Sequence, residues 1–251
     1  MTLMTVERIK LFSTRSPWWC IGLTAALCIG MASLVAATSH TYQMNVVVTQ
    51  SFYSFGMTII MVMAILAVTT EYRFSTIRST FLAVPGRTRV LLAKAGLVSA
   101  ISAVVGEVCA FGAWGISKAI LPSAPLGLST SADWRTVAGV GLIYGLAALM
   151  AIGVGLLVRQ SAGAITLVLV YSLLVENLFP AIPRIGEPVH RLMPFVNADH
   201  FLRGGQVLPD DNGPPLAKGM HYGPVGGLLY FAAWAIVLLA VGLYVANKRD
   251  A

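Results

Sequence analysis

The sequence predicts an all-α integral membrane protein with six transmembrane helices and both ends on the cytoplasmic side. Three observations predict it. Of 251 residues, 57% are hydrophobic and only 11% charged, whereas about a quarter of a soluble domain is charged. Six apolar stretches approach the ~20 residues a helix needs to cross a bilayer. The 17 Lys and Arg residues gather mainly in alternate connections between those stretches, as the positive-inside rule requires. The net charge of +7 does not point to nucleic acid, because the cations punctuate apolar runs instead of forming a patch on a polar surface. Anionic lipid headgroups account for them.

Residues 1–17 form a cytoplasmic interfacial segment with Arg8, Lys10 and Arg15. The first span, residues 18–37, is longer than the ~7–15-residue apolar core of a cleaved signal peptide, and five spans follow it, so it reads as retained. Residues 38–51 make a short outer link to the second span, 52–69. The third, 90–116, is long enough to tilt or to project beyond the hydrocarbon. Spans four (137–158) and five (162–179) are joined by a minimal inner turn at 159–161. Residues 180–224 form one long outer loop rich in Pro and Gly, and the sixth span is 225–246. Within that loop, "VHRLMPFVNADHFLRGG" mixes apolar and charged residues like a short helix lying on the membrane face. With the N-terminus inside, Arg8, Lys10, Arg15, Arg73, Arg78, Arg87, Arg89, Lys94, Arg159, Lys248 and Arg249 are all inner. Four of the other six cations lie in the long loop, where they weigh little on orientation.

The connection between spans two and three reads "EYRFSTIRSTFLAVPGRTRVLLAKA". On a wheel of ~100° per residue, Phe74, Ile77, Phe81 and Val84 share one stripe about 80° wide. Arg73 and Arg78 flank it. Pro85-Gly86 stops the helix, since proline lacks the donor and glycine allows the reversal. Lys94, a turn or two into span three, is expected to snorkel to the headgroups. Spacing alone leaves two readings: a stripe lying in lipid as a topological anchor, or a stripe docking in a groove of a cytoplasmic protein, with the arginines on its acidic rim.

That connection resembles the loop between helices two and three of ABC type-2 permeases, the six-helix exporter subunits also called type V. Glu71, Ser75-Thr76-Ile77-Arg78, Pro85-Gly86-Arg87 and Lys94 match the family pattern in order, with Ser75 where the family more often has Gly. "VERIKLFSTRSPWW" is similar to the family's N-terminal interfacial helix, through Glu7, Lys10, Arg15-Ser16 and Trp18-Trp19. Met193-Pro194-Phe195 resembles its Leu-Pro-Phe element before the last helix. The resemblance implies that residues 71–89 are a coupling loop seated on a separate ATP-binding subunit. It assigns docking to Phe74, Ile77, Arg78 and Phe81, with Glu71 and Arg73 at the base, and it places Glu7 and Lys10 at the same cytoplasmic face. It further implies a single permease domain over residues 1–251 in the plasma membrane. A second permease copy, the same or a paralogue, would complete the pore, and a hydrophobic or amphipathic substrate would be exported by alternating access.

None of the five lysines follows a glycine, so the Gly-Lys-Ser/Thr core of a P-loop is missing. The chain is expected to hold no cofactor and to hydrolyse no ATP; ATP and Mg²⁺ would belong to the partner subunit. Glu107, in the middle of span three, and Glu176, near the outer end of span five, are costly to bury and hence are candidates for function. The alternative for both is a structural carboxyl packed between helices, beside small residues such as Gly106 and Gly112. Met57 and Met61 in span two fit either adaptable packing or an apolar ligand path. Cys20, Cys28 and Cys109 read as small core residues. His190, His200 and His221 with Asp199 match no compact metal-ligand spacing and are expected in a solvated loop. The "GLST" stretch at 127–130 lacks a membrane-embedded His as a base, which argues against an intramembrane protease. A six-helix scaffold or assembly factor without nucleotide-driven transport is the rival reading.

Overall fold

The computed structural model describes residues 3–41, 44–74, 86–182, 186–204, 220 and 222–249. Every regular element among them is helical. Six helices are long and apolar enough to cross a membrane: Arg15–Thr38, Val46–Arg73, Thr88–Ile120, Ser131–Val158, Ser161–Ala181 and Pro224–Lys248. All six predicted spans are present, each longer than the apolar run that announced it.

Helix α1 (Leu3–Ser13) leads through Thr14 into α2 (Arg15–Thr38), whose Pro17 sits in the first turn, where its missing N–H costs nothing. The Phe12 and Trp18 rings, 5.1 Å apart, hold the corner. The short outer link contains one helical turn, α3 (Val46–Thr49), capped by the Asn45 side chain on the Val48 amide. Helix α4 (Tyr53–Arg73) then runs past the predicted end of span two. No Gly or Pro interrupts residues 70–73, so the helix continues until Phe74. The expected coupling helix, with Ile77, Arg78 and Phe81, falls on residues 75–85, outside the described residues.

Helix α5 (Arg87–Ile120) has 34 residues, about 50 Å at ~1.5 Å per residue, and so exceeds the ~30 Å hydrocarbon core. Helix α6 (Ser131–Val158) opens on a reciprocal capping box between Thr130 and Asp133. It closes at Arg159, which takes the left-handed conformation (φ 59°). That residue makes the predicted inner turn possible. Helix α7 (Ser161–Leu169) continues through a π-helical turn at Val170–Val175 and ends near Ala181. The long loop holds α8 (Gly186–His190) and α9 (Pro194–Arg203), and α10 (Pro224–Arg249) closes the chain.

Helix α6 is the hub. Its most apolar stretch is 78% buried, against 61% for the second span and 33% or less for the other four. Helices α4, α5, α9 and α10 pack on it. Small residues let them come close, as in other membrane bundles. A Cβ on Gly153 would lie 2.5 Å from the Leu238 backbone carbonyl carbon of α10. A Cβ on Gly106 of α5 would lie 3.0 Å from the Gly141 Cα of α6. At Gly153 the opposing atoms are all backbone and cannot swing aside, and at Gly106 the buried Tyr144 ring stands as close as the Gly141 backbone. Gly153→Val is therefore expected to lower stability by about 1–3 kcal/mol through overpacking. Thermal melting in detergent checks this, with an unchanged transition counting against the crossing.

Candidate functional site

Two clusters of buried polar groups stand out, one at each end of the bundle. The first lies at the end bearing the N-terminus, where α1, α4 and α5 meet. Glu7 of α1 and Lys94 of α5 are both nearly inaccessible, 3% and 5% exposed, and the Lys94 ammonium donates to the Glu7 carboxylate. The same ammonium donates to Glu71 Oε1 at 3.0 Å. Lys10 lies 3.4 Å from Glu7 and 3.3 Å from Glu71. Two carboxylates and two ammoniums thus alternate around one centre, and their formal charges cancel. A lone charge at this burial would cost several kcal/mol, and mutual pairing offsets that cost. The expectation that Lys94 snorkels to the headgroups is overturned. Its stem points into the α1–α4–α5 junction because two acids there compete successfully with water.

The cluster ties the chain on both sides of the 75–85 segment. Glu71 is two residues from the end of α4, and Lys94 is two turns into α5. Beyond it, Arg73 lies over the Phe74 ring at 5.6 Å, and that ring is 68% exposed. The structure therefore brings Glu71, from the base of the predicted docking loop, together with Glu7 and Lys10 of the N-terminal helix, and leaves Phe74 exposed. Beside the ions, a cavity of about 490 Å³ is walled by Leu11, Pro17, Met63, Leu66, Ala67, Leu97 and Val98.

The second cluster, at the opposite end, centres on α9. This helix forms in the stretch predicted to be helical, but it does not lie on the membrane face. Phe195, Val196, Asn197, Ala198, His200, Phe201 and Leu202 are all buried, because α9 wedges between α6 and α10. Glu176 caps it from a distance, its carboxylate accepting the Phe195 amide at 3.2 Å and the Val196 amide at 3.1 Å. These are amides of the first turn, which no carbonyl within the helix can satisfy. The positive end of the helix dipole favours the carboxylate there. The π turn immediately before Glu176 widens the helix by one residue and so rotates Glu176 relative to the turns before it.

Further bonds lock α9 in place. Tyr53 donates to Asp199 at 2.9 Å, and Arg203 pairs with the same carboxylate at 2.9 Å. Thr136 donates to the Leu202 carbonyl at 2.7 Å. Asn197 accepts from the Tyr222 hydroxyl, and burial holds that phenol above its ordinary pKa, keeping it a donor. His200 is buried with Nε2 3.1 Å from the Tyr222 carbonyl, so the expectation of a solvated loop histidine does not hold for it. His221 lies outside the described residues.

Glu107 is half-buried on α5, its Cγ and Oε1 filling the space that a Gly141 Cβ would need. Met57 and Met61 are 3% and 0% exposed, and that burial favours packing over a ligand path. Tyr144, which the sequence did not single out, sits at the break between α3 and α4. It donates to the Tyr53 carbonyl at 2.8 Å, with the Cys28 thiol 3.5 Å from its oxygen. Gln50 donates to the Ala110 carbonyl at 3.0 Å. These bonds tie the break between α3 and α4 to α5 and α6.

Fold and clusters together define a multi-pass helical membrane protein with buried polar junctions at both ends. The chain matches no known protein-family model and no curated protein sequence. The capping role of Glu176 generates a test. Glu176→Ala strands two buried amides and is expected to cost about 1–3 kcal/mol. Hydrogen exchange at Phe195 and Val196 should accelerate in that variant while α6 stays protected; uniform protection would show that the cap is dispensable.

Proposed function

We propose that the chain is the permease subunit of an ATP-driven ABC exporter, moving a hydrophobic or amphipathic substrate with a separate cytoplasmic ATPase and a second permease copy. One observation carries this reading. The segment whose sequence resembles a coupling loop is flanked by Glu71 and Lys94, which are paired with each other, and Lys94 pairs in addition with Glu7 of the N-terminal helix. A force applied to residues 75–85 by a partner would reach α1, α4 and α5 as one unit. From α4 and α5 it would pass to α6, against which both pack.

The missing Gly-Lys pair fits an engine housed in another chain. In this reading Phe74, Ile77, Arg78 and Phe81 contact that ATPase. Closure of two ATP-bound subunits drives the coupling segments together, and the path between permease copies opens outward. The basic N-terminal segment and the 75–85 segment would then face the cytoplasm.

Charge reversal at Arg78, or a polar residue at Phe81, is expected to release the ATPase while the bundle stays folded. The check is co-purification of a P-loop ATPase subunit with this chain, together with substrate-stimulated hydrolysis. Intact complexes with normal stimulation would remove the docking assignment. The absence of any ATPase partner from the wild-type preparation would favour the scaffold reading.

A further inference from the structure

We propose that the cavity beside the Glu7–Lys10–Glu71–Lys94 cluster is a binding site for one anionic phospholipid, its phosphate on Lys10 and an acyl chain along α4 and α5. This inference is independent of the transport reading. The cavity, about 490 Å³, falls within the ~300–1,000 Å³ range of ligand sites. Its deep wall is apolar: Leu11, Met63, Leu66, Ala67, Leu97 and Val98. Its polar lining combines Glu7, Lys10, Glu71 and Lys94 with Ser13, Thr14 and Ser16. An occupant must therefore be apolar at one end and polar at the other.

Three observations choose a phospholipid and give the sign of its headgroup. First, the site sits at headgroup depth. Trp18 and Trp19 are 60% and 75% exposed at the start of α2, one residue beyond the lining residue Pro17, and such indoles mark the membrane–water interface. Second, exposed Met4 and Ile9 on α1 place that helix against acyl chains, so a lipid reaches the mouth laterally. Third, the ionic cluster is internally neutral, whereas Arg8, Arg15 and Arg73 are exposed and adjacent in sequence to lining residues. Both acids at the site, Glu7 and Glu71, already accept from Lys94. Lys94 is sealed, while the Lys10 side chain is 35% exposed and its contacts to both acids exceed 3.2 Å. Lys10 is thus the cation of the cluster that a phosphate at the cavity can reach. Exposed arginines next to the lining of an internally neutral cluster favour an anionic headgroup over a zwitterionic one.

The test uses the full chain purified in detergent and mixed with phosphatidylglycerol, phosphatidylcholine or inorganic phosphate, read by native mass spectrometry and thermal melting. The wild type is expected to retain one phosphatidylglycerol and to melt higher with it, because a ligand that binds only the folded state stabilises it. Phosphatidylcholine should bind about tenfold more weakly, and inorganic phosphate should do nothing, since the apolar wall would stay empty. Ala67→Trp fills the cavity and should abolish retention. Lys10→Gln, which leaves the walls intact, should remove the preference for phosphatidylglycerol. Leu229→Trp, on an exposed position of α10, should change neither. Retention and melting shift unchanged in Lys10→Gln, or equal for both lipids in the wild type, would overturn the proposal.

Discussion

Two carboxylates and two ammoniums share a site largely closed to water where α1, α4 and α5 meet, and their mutual neutralisation is the constraint around which that end of the bundle is organised. Remove one member and the other three carry a net charge in a site largely closed to water, and breaking a buried ion pair typically costs about 3–5 kcal/mol. Glu7 is 3% exposed and Lys94 is 5% exposed, so neither can recover by turning to solvent. The consequence is positional. Helix α1, only 11 residues long, would be marginal as an isolated helix, yet here it is held by an ion pair spanning 87 residues of sequence. The same cluster fixes how far apart α4 and α5 emerge from the bundle, and so where the segment between them must start and finish.

The opposite end solves a related problem with one carboxylate and a helix. Burying α9 between α6 and α10 withdraws its first-turn amides from water, and Glu176 supplies the acceptors. Between the two ends lies α6, hydrophobic all round and rich in Gly and Ala, as a helix enclosed by others must be. The close crossings at Gly106–Gly141 and Gly153–Leu238 make the hub rigid where the ends are polar.

Much of this architecture is legible in the amino-acid order, because membrane spans are long, uniform signals set by bilayer thickness. The six apolar runs, the tight turn at Arg159 and the short helix after Pro194 all follow from composition and from proline or glycine punctuation. What escaped is pairing across sequence distance. Lys94 read as a snorkelling lysine since nothing near it in sequence is acidic; its partners are 23 and 87 positions away. The α9 stretch read as a surface helix because its charged residues suggested water, whereas Asp199 and Arg203 neutralise each other against Tyr53. Tyr144 carried no signal at all, since a tyrosine in an apolar run looks like packing until the broken helix it serves is in view. The resemblances of residues 71–95 to a coupling loop and of residues 6–19 to an N-terminal interfacial helix point to Glu71, Glu7 and Lys10, which do converge, although the central residues of the coupling loop lie outside the described ones.

Exchanging the charges of the deepest pair tests this account most directly. Glu7→Lys and Lys94→Glu would each leave three like charges against one, and together they restore two of each sign in the same place. The account predicts that each single variant melts well below the wild type in detergent and that the double variant recovers more than half of the summed loss. Losses that simply add in the double variant would mean that Glu7 and Lys94 act independently, and the junction of α1, α4 and α5 would then have to be held by packing alone.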